Sequence, residues 1–373
     1  MYQQKLKTAT MNSRIYNFGA GPAMLPESIL KEAQGELLNW HHLGMSILEI
    51  GHRTSQFVNL LEQAEYSLRS LLTIPDNYHV LFLGGAARTQ FSMIPMNLLH
   101  PEEQAGYLVT GIWSQMAFQE AQLLKNAYCV ASEEHNQFRT VPDAKSWEIQ
   151  KNTEYLYYTP NETVNGTRFP YVPKSGEVPL IADMTSCLLS EPLDIKQYGL
   201  IFAGAQKNIA NAGLTIVIIR NDLLDRVPTP VVPTMLHYKT HAEHHSLYST
   251  PPVFNCYLAA KMFEWIKDQG GVDTLFRQNC LKAAKLYQYL DSTDFYTTPV
   301  DKEARSIMNI CFSLNNSALE PRFLELAEQR GLCALKGHRF VGGLRASLYN
   351  AMPMSGVDAL VNFMSEFAKE NTL

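Results

Sequence analysis

Six short apolar runs of strand length, most of them nearly unbroken, constrain this chain more than anything else in its sequence. They are His79–Leu83, Tyr107–Thr110, Tyr155–Thr159, Pro179–Ala182, Leu200–Ala203 and Leu214–Arg220. A strand with one wet face alternates apolar and polar residues. Runs without that alternation belong to strands buried on both faces. Amphipathic stretches of helical length lie between several of them, such as Ala87–Leu99 and Trp113–Leu124. Strand, helix, strand repetition predicts the α/β class, with a mostly parallel sheet wrapped by helices. Such sheets bind ligands beyond the carboxyl ends of their strands, so the residues just past each run carry the functional information.

The pattern changes after Arg220. Val227–Pro252 holds Pro228, Pro230, Pro233, Pro251 and Pro252, with four histidines between His237 and His245. It reads as a long ordered loop, a kind of segment that is more often functional than idle. Helices are predicted over Val253–Gln269 and Val272–Leu290. A smaller α/β unit follows: strand Asn309–Leu314, helix Ala318–Arg330, strand Arg345–Tyr349 and helix Ser355–Lys369, with the boundary near residues 265–270. The 373 residues suit about two domains of roughly 100–200 residues each. With 46 % hydrophobic and 18 % charged residues, a mainly disordered chain is excluded. Lys and Arg total 31 against 36 Asp and Glu, a formal charge of −5, so bulk charge argues against a nucleic-acid partner.

Met1–Ser13 is polar, carries Lys5 and Lys7 and lacks the apolar centre of a secretory signal. It reads as a loose extension over residues 1–13. No apolar run approaches the ~18 residues that span a bilayer, so no membrane partner is expected. The six cysteines (Cys129, Cys187, Cys256, Cys280, Cys311 and Cys333) include no C-x-x-C pair. They read as reduced thiols in a cytoplasmic protein.

Several residues could carry chemistry. Lys207 lies just past the run that starts at Gly199 and Leu200. Apolar surroundings would lower its pKa and make it a nucleophile able to form a Schiff base; a surface lysine at a strand end is the plain alternative. Asp183 ends Pro179-Leu-Ile-Ala-Asp183. It suits a partner for a pyridinium nitrogen, or simply a turn or N-cap residue. The two together are what a pyridoxal phosphate site needs. The turn from Leu83 to Gln90, Leu-Gly-Gly-Ala-Ala-Arg-Thr-Gln, leaves a strand and opens a helix, where backbone N–H groups can cradle a phosphate. It is neither G-x-G-x-x-G nor a P-loop. Trp113 could stack on a planar cofactor or pack in the core. His52-Arg53, Lys336-Gly337-His338-Arg339 and Arg345 offer cations for a dianionic ligand, or are solvated surface charges. The loop histidines His241, His244 and His245 lack a metal-ligand pattern, and no metal is expected.

At these residues the chain resembles a known family. Asn17-Phe-Gly-Ala-Gly-Pro-Ala-Met-Leu-Pro26, Gly51-His52-Arg53, Pro160-Asn161-Glu162-Thr163, Gly204-Ala205-Gln206-Lys207-Asn208, Thr250-Pro251-Pro252 and Lys336-Gly337-His338-Arg339 are similar to motifs of the phosphoserine aminotransferases, class-V pyridoxal phosphate enzymes of fold type I. The resemblance runs in order from about Tyr16 to the C-terminus. It implies a large domain with a mostly parallel seven-stranded sheet over 27–265 and a smaller C-terminal α/β domain over 266–373, with 14–26 joining the small domain. It implies that Lys207 holds the cofactor covalently and shuttles a proton, Asp183 pairs with the ring nitrogen, Trp113 stacks on the ring and Thr163 bonds its 3′-oxygen side. Ala87, Arg88 and Gln206 would bind the cofactor phosphate. Ser249 and Thr250 would reach the phosphate in the neighbouring subunit, which implies a homodimer with active sites at the interface. His52, Arg53, His338 and Arg339 would hold the substrate phosphate or the glutamate side-chain carboxylate, and Arg345 the α-carboxylate. Two departures stand out: Ala86 and Ala87 where the family's turn is often richer in glycine, and Ser249 where it usually has asparagine.

The implied reaction is a ping-pong transamination between L-glutamate and 3-phosphohydroxypyruvate, giving O-phospho-L-serine and 2-oxoglutarate in serine biosynthesis. Many bacterial members also accept 4-phosphohydroxy-L-threonine in pyridoxine biosynthesis. Two rivals lie within the enzymes and one belongs to another class. A serine– or alanine–glyoxylate aminotransferase would not distinguish phosphoserine from serine. A cysteine desulfurase needs a reactive loop cysteine, and no recognisable motif supplies one. A catalytically silent binding protein of the same fold would be expected to lose Lys207 or Asp183, and both are present.

Overall fold

The computed structural model describes residues 14–228 and 230–371, and the extension expected over 1–13 lies outside them. In chain order the strands are β1 (Tyr16–Asn17), β2 (Tyr78–Gly84), β3 (Gln104–Val109), β4 (Asn126–Ser132), β5 (Thr153–Tyr158), β6 (Leu180–Asp183), β7 (Leu200–Gly204), β8 (Leu214–Arg220), β9 (Tyr296–Thr297), β10 (Asn309–Leu314), β11 (Leu332–Cys333) and β12 (Leu344–Ser347). Seven of them form the main sheet in the order β2-β8-β7-β6-β5-β3-β4. All neighbours are parallel except β8, which runs antiparallel to both β2 and β7.

The unbroken apolar runs make sense as two-faced strands. Along β5, Leu156 and Tyr158 enter one core while Tyr155 and Tyr157 enter the other; Val80 and Phe82 of β2 oppose Leu81 and Leu83 in the same way. Helices Ser55–Leu72 and Val253–Asp268 cover the first face. Helices Thr89–Leu98 and Ile112–Leu124 cover the second. Six of the seven strands coincide with the runs read from sequence. The seventh, β4, is an edge strand, Asn-Ala-Tyr-Cys-Val-Ala-Ser, none of it fully buried. With one neighbour and a wet flank it needs no apolar run, so periodicity passes over it.

The segment 227–252 departs from a plain loop. It contains a 3-10 turn at Thr234–Leu236 and a helix at Tyr238–Glu243. Its prolines stand outside that helix. Tyr238 is buried and donates its hydroxyl to Gln90 Oε1 (2.7 Å), while Asn97 donates to Leu236 O (2.8 Å) and accepts from Tyr238 N (3.1 Å). Polar side chains of the helix Thr89–Leu98 therefore pin the segment, a cause no local pattern displays.

A third core joins β10 and β12 to the helices Gly271–Asp291, Glu320–Gln329 and Met354–Asn371, and it takes in Phe18 from the N-terminal end. That end is fastened by β1, which pairs in parallel with β11. Lys282 fastens the other end. Its ammonium is buried and donates to the carbonyls of Leu348 (3.2 Å), Tyr349 (2.9 Å) and Met352 (3.0 Å), the link between β12 and the last helix.

Lys282→Met leaves those carbonyls without their donor and should destabilise the protein by about 2–4 kcal/mol, measured by urea unfolding. Burial also pulls this amine down to about 7. From about pH 7 up to the free-lysine range the unfolded chain binds more protons there than the native one. Wild-type stability from this group therefore rises with pH across that window. The deficit of the variant is expected to be larger at pH 9 than at pH 7.

Candidate active site

Five strand ends converge on one edge of the main sheet. β7 ends at Gly204, and the chain turns so that Ala205 N bonds Leu214 O (2.8 Å) and Ile209 and Ala210 bond back to Ala205 O. Lys207 emerges from that turn, 7 % exposed, and donates its ammonium to Thr163 Oγ1. Thr163 belongs to the loop after β5. Asp183 closes β6; its Oδ1 accepts from Thr185 N (2.9 Å), and Thr185 Oγ1 accepts from Gly204 N (3.1 Å). After β2, Gly85 takes φ +119°, which suits glycine, and leads through Ala86, Ala87 and Arg88 into the helix Thr89–Leu98. After β3, Trp113 stands in the first turn of the helix Ile112–Leu124. Arg88 lays its guanidinium 5.4 Å from the Trp113 ring centre.

These ends enclose a cavity of about 180 Å³ lined by Ala87, Arg88, Trp113, Thr163, Asp183, Gln206 and Lys207. Seven of the residues singled out from sequence thus meet at one place. The others lie elsewhere on the chain. His338 and Arg345 line a neighbouring cleft of about 200 Å³, together with Arg139. Arg345 sits between the two, donating Nη1 to Thr163 O (3.3 Å) while its Nε is buried without a partner. His52 stands before the helix Ser55–Leu72 with its Nε2 likewise unpartnered. Arg53, Ser249, Thr250 and Arg339 are exposed and line neither space. In the histidine segment, His241 Nε2 and His244 Nδ1 each lie against a backbone carbonyl, Met235 O (2.9 Å) and Thr240 O (2.8 Å).

Burial dominates the electrostatics. It pulls the Lys207 amine down to about 8; Asp183 opposes that shift and Arg345 adds to it. Burial raises the Asp183 carboxyl, against the Thr185 hydrogen bonds and the Lys207 charge. It pushes Glu162 up to about 7, against hydrogen bonds from Ser114 and Trp113. A lysine near neutrality beside a carboxylate is a nucleophile and a proton carrier at physiological pH.

The cavity also fits a planar phosphorylated cofactor. Trp113 Nε1 and Thr159 Oγ1 are buried without protein partners. Among the described residues the backbone N–H groups of Ala86, Ala87 and Arg88 form no hydrogen bond, and they stand where a helix begins, the usual seat of a phosphate. A Cβ on Gly204 would come within 2.6 Å of Gln206 Oε1 and 3.0 Å of Ala87 Cβ, so any larger residue there would push Gln206 aside and crowd Ala87 at the cradle. Residues that sequence reading left without a role also build the site. Asn161 donates to Ser186 Oγ (2.8 Å) and to Asn309 Oδ1 (2.9 Å), tying the loop after β5 to β10. Thr185 links β6 to β7, and Glu162 holds the helix that bears Trp113. Apart from the Pro160-Asn161-Glu162-Thr163 motif, their sequence signal is position, two to four residues beyond a buried strand.

In cofactor-free protein, the rate of reductive methylation of Lys207 by formaldehyde should rise with a midpoint near pH 8, followed by peptide mass spectrometry. Asp183 holds this value up, so Asp183→Asn should move the midpoint lower. A midpoint in the range of surface lysines would show that the ammonium is solvated.

The sequence profile of the Aminotransferase class-V family matches residues 15–360. A phosphoserine aminotransferase of Legionella pneumophila (strain Corby) is 74 % identical over 361 residues, covering 97 % of this chain and 100 % of that protein. Among solved structures, the phosphoserine aminotransferase of Bacillus circulans subsp. alkalophilus superposes with a TM-score of 0.94 at 44 % identity, covering 96 % and 99 % of the two chains. The pyridoxal-phosphate-bound phosphoserine aminotransferase of Trichomonas vaginalis gives 0.91 at 38 % identity, covering 94 % and 100 %. With its fold and family profile in agreement over nearly its whole length, the chain belongs to the class-V aminotransferases and, within them, to the phosphoserine aminotransferase family.

Proposed function

We propose that this protein transfers an amino group between L-glutamate and 3-phosphohydroxypyruvate, forming O-phospho-L-serine and 2-oxoglutarate in serine biosynthesis, with pyridoxal 5′-phosphate as cofactor. The observation that carries the reading is the 74 % identity to an enzyme of that name across nearly the whole of both chains. When bound, pyridoxal phosphate supplies an electron-withdrawing ring that accepts the electron pair left as the substrate loses its α-proton.

The chain's own residues do the rest. Lys207 would hold the cofactor through its amine and, when free of it, would carry the proton between the substrate Cα and the cofactor's aldehyde carbon. Its lowered basicity suits both duties. The Thr163 hydroxyl orients the amine. Asp183 would pair with the ring nitrogen and keep a proton on it, and the burial of its carboxyl would strengthen that pairing. Trp113 supports the ring face. The N–H groups at Ala86–Arg88, with Arg88 and Gln206, hold the phosphate. Arg345 takes the α-carboxylate, and His52, Arg53, His338 and Arg339 take the distal phosphate or carboxylate. Ser249 and Thr250, exposed and away from their own chain's cavity, serve the cofactor phosphate of a second copy in a homodimer. Ser249 is shorter than the family's usual asparagine, which leaves more of that contact to Thr250. The domain units in this reading are 27–265 and 266–373, with 14–26 joined to the second through β1. In this reading the protein works in the cytoplasm.

Visible absorption tests the proposal. The cofactor band of the purified enzyme should bleach on addition of O-phospho-L-serine and persist with L-serine, because serine leaves the cationic groups unpaired, a difference of roughly 10³-fold or more in kcat/KM. Equal bleaching by serine would move the substrate to another class-V aminotransferase, and no band after added pyridoxal phosphate would remove the cofactor. Lys207→Ala should keep the fold, seen by circular dichroism, and lose roughly 10⁴-fold or more in turnover, the upper range for a positioned acid–base group.

A further inference from the structure

Glu162 is fully buried, and the mechanism above gives it no part. Its carboxylate reaches across to the helix Ile112–Leu124: Oε2 accepts from Trp113 N (3.0 Å) and Oε1 from Ser114 N (2.8 Å). Asn165, in the same turn, accepts from Ile112 N (3.1 Å). Three successive N–H groups that a helix start leaves open are therefore taken by one turn from another strand. The local sequence cannot supply this cap. Gly111 precedes the helix without a side chain, and a Cβ there would lie 2.7 Å from Glu162 Oε2. The hydroxyl of Ser114 is spent on Thr110 N (2.9 Å) and Gly111 N (3.1 Å).

The same turn is rigid and reaches Lys207. Glu162 N bonds Thr167 O (2.8 Å) and Gly166 N bonds Glu162 O (2.9 Å). The next residue, Thr163, accepts from the Lys207 ammonium through its hydroxyl and from Arg345 through its carbonyl. One residue thus fixes Trp113 by its side chain and Thr163 by its backbone. An anion at a helix N-terminus is also favoured by the helix dipole.

We propose that Glu162 is a positioning residue: its carboxylate sets the height and tilt of Trp113 over the cavity relative to Thr163 and Lys207. The proposal rests on reading this cavity as the pyridoxal phosphate site. It goes beyond that reading by giving the acidic residue of the Pro-Asn-Glu-Thr turn a task distinct from cofactor contact.

Glu162→Gln keeps the shape, but its amide nitrogen turns N–H toward an N–H donor and the charge is lost. The expected result is a pyridoxal phosphate dissociation constant raised about tenfold, the worth of one charge-assisted hydrogen bond. The visible circular dichroism of the bound cofactor should change with it. Trp113→Ala should give a similar loss. Because Glu162 acts through Trp113, the double variant should lose little more than the larger single loss. Where Glu162→Gln does not accumulate as folded protein, Glu162→Asp keeps the charge one methylene short, and the same two readouts should fall between wild type and Trp113→Ala.

A Glu162 variant that melts lower yet binds the cofactor with the wild-type constant and dichroism would overturn the proposal, as would losses that multiply in the double variant. Wild-type protein that takes up no pyridoxal phosphate would overturn the cofactor reading and this proposal together, so the two failures are told apart by the wild type alone.

Discussion

The burial of Lys207 at the carboxyl edge of the main sheet sets the terms for everything around it. A solitary ammonium removed from water costs several kcal/mol unless it is paired or gives up its proton. This site applies both remedies in part. Asp183 and the Thr163 hydroxyl support the charged form, while desolvation and Arg345 disfavour it, and the amine settles near neutrality. A lysine more exposed would be protonated and inert as a nucleophile; one buried without Asp183 would be neutral but unable to carry a proton for long. Rigid β6 and β7 deliver the two groups because their paired backbones leave no freedom to drift apart.

That edge is completed by the second unit. Asn161 spans from the loop after β5 to Asn309 on β10, and Arg345 from β12 reaches Thr163 O. On the other side Asn350 N bonds Asn208 Oδ1 (3.1 Å), the residue after Lys207, and its amide bonds Leu189 O (2.9 Å). Asn279 and Lys282 of the helix Gly271–Asp291 hold the same link from behind. Most of these contacts use uncharged amides, which keep their geometry without paying for a buried ion. Lys207 is thereby clamped between neighbours from both units.

The legibility of the sequence follows the same physics. Strands buried on both faces must be apolar throughout, so β2, β3 and β5 to β8 are visible as runs, and with them the positions of Asp183 and Lys207 at strand ends. The edge strand β4 and the helix Tyr238–Glu243 are hidden because their stability comes from partners distant in sequence, such as β3 for one and Gln90 and Asn97 for the other. At the site, charged residues next to glycines announce themselves, whereas Asn161, Glu162 and Thr185 look like ordinary turn residues. Their work is to hold other residues, and it becomes visible only when the partners are in place. The motif resemblance supplied Thr163, which spacing alone leaves in a loop, whereas the place of Trp113 at a helix start already offers a ring that could stack on a cofactor or pack in the core.

The cations assigned to the substrate pose a different problem. Arg53 and Arg339 are exposed, and a charge pair in full contact with water is worth at most about 1 kcal/mol. Binding a dianion selectively over a neutral hydroxyl group needs those cations in a drier place, where the same Coulomb interaction grows several-fold. Among the described residues Ser249 and Thr250 are exposed as well. Both deficits have one remedy under the proposed function: a second copy that brings Ser249 and Thr250 to the cofactor phosphate also covers the cationic loops. In that reading the chemistry would reside in rigid strand ends of one chain, while the discrimination between phosphoserine and serine would depend on two.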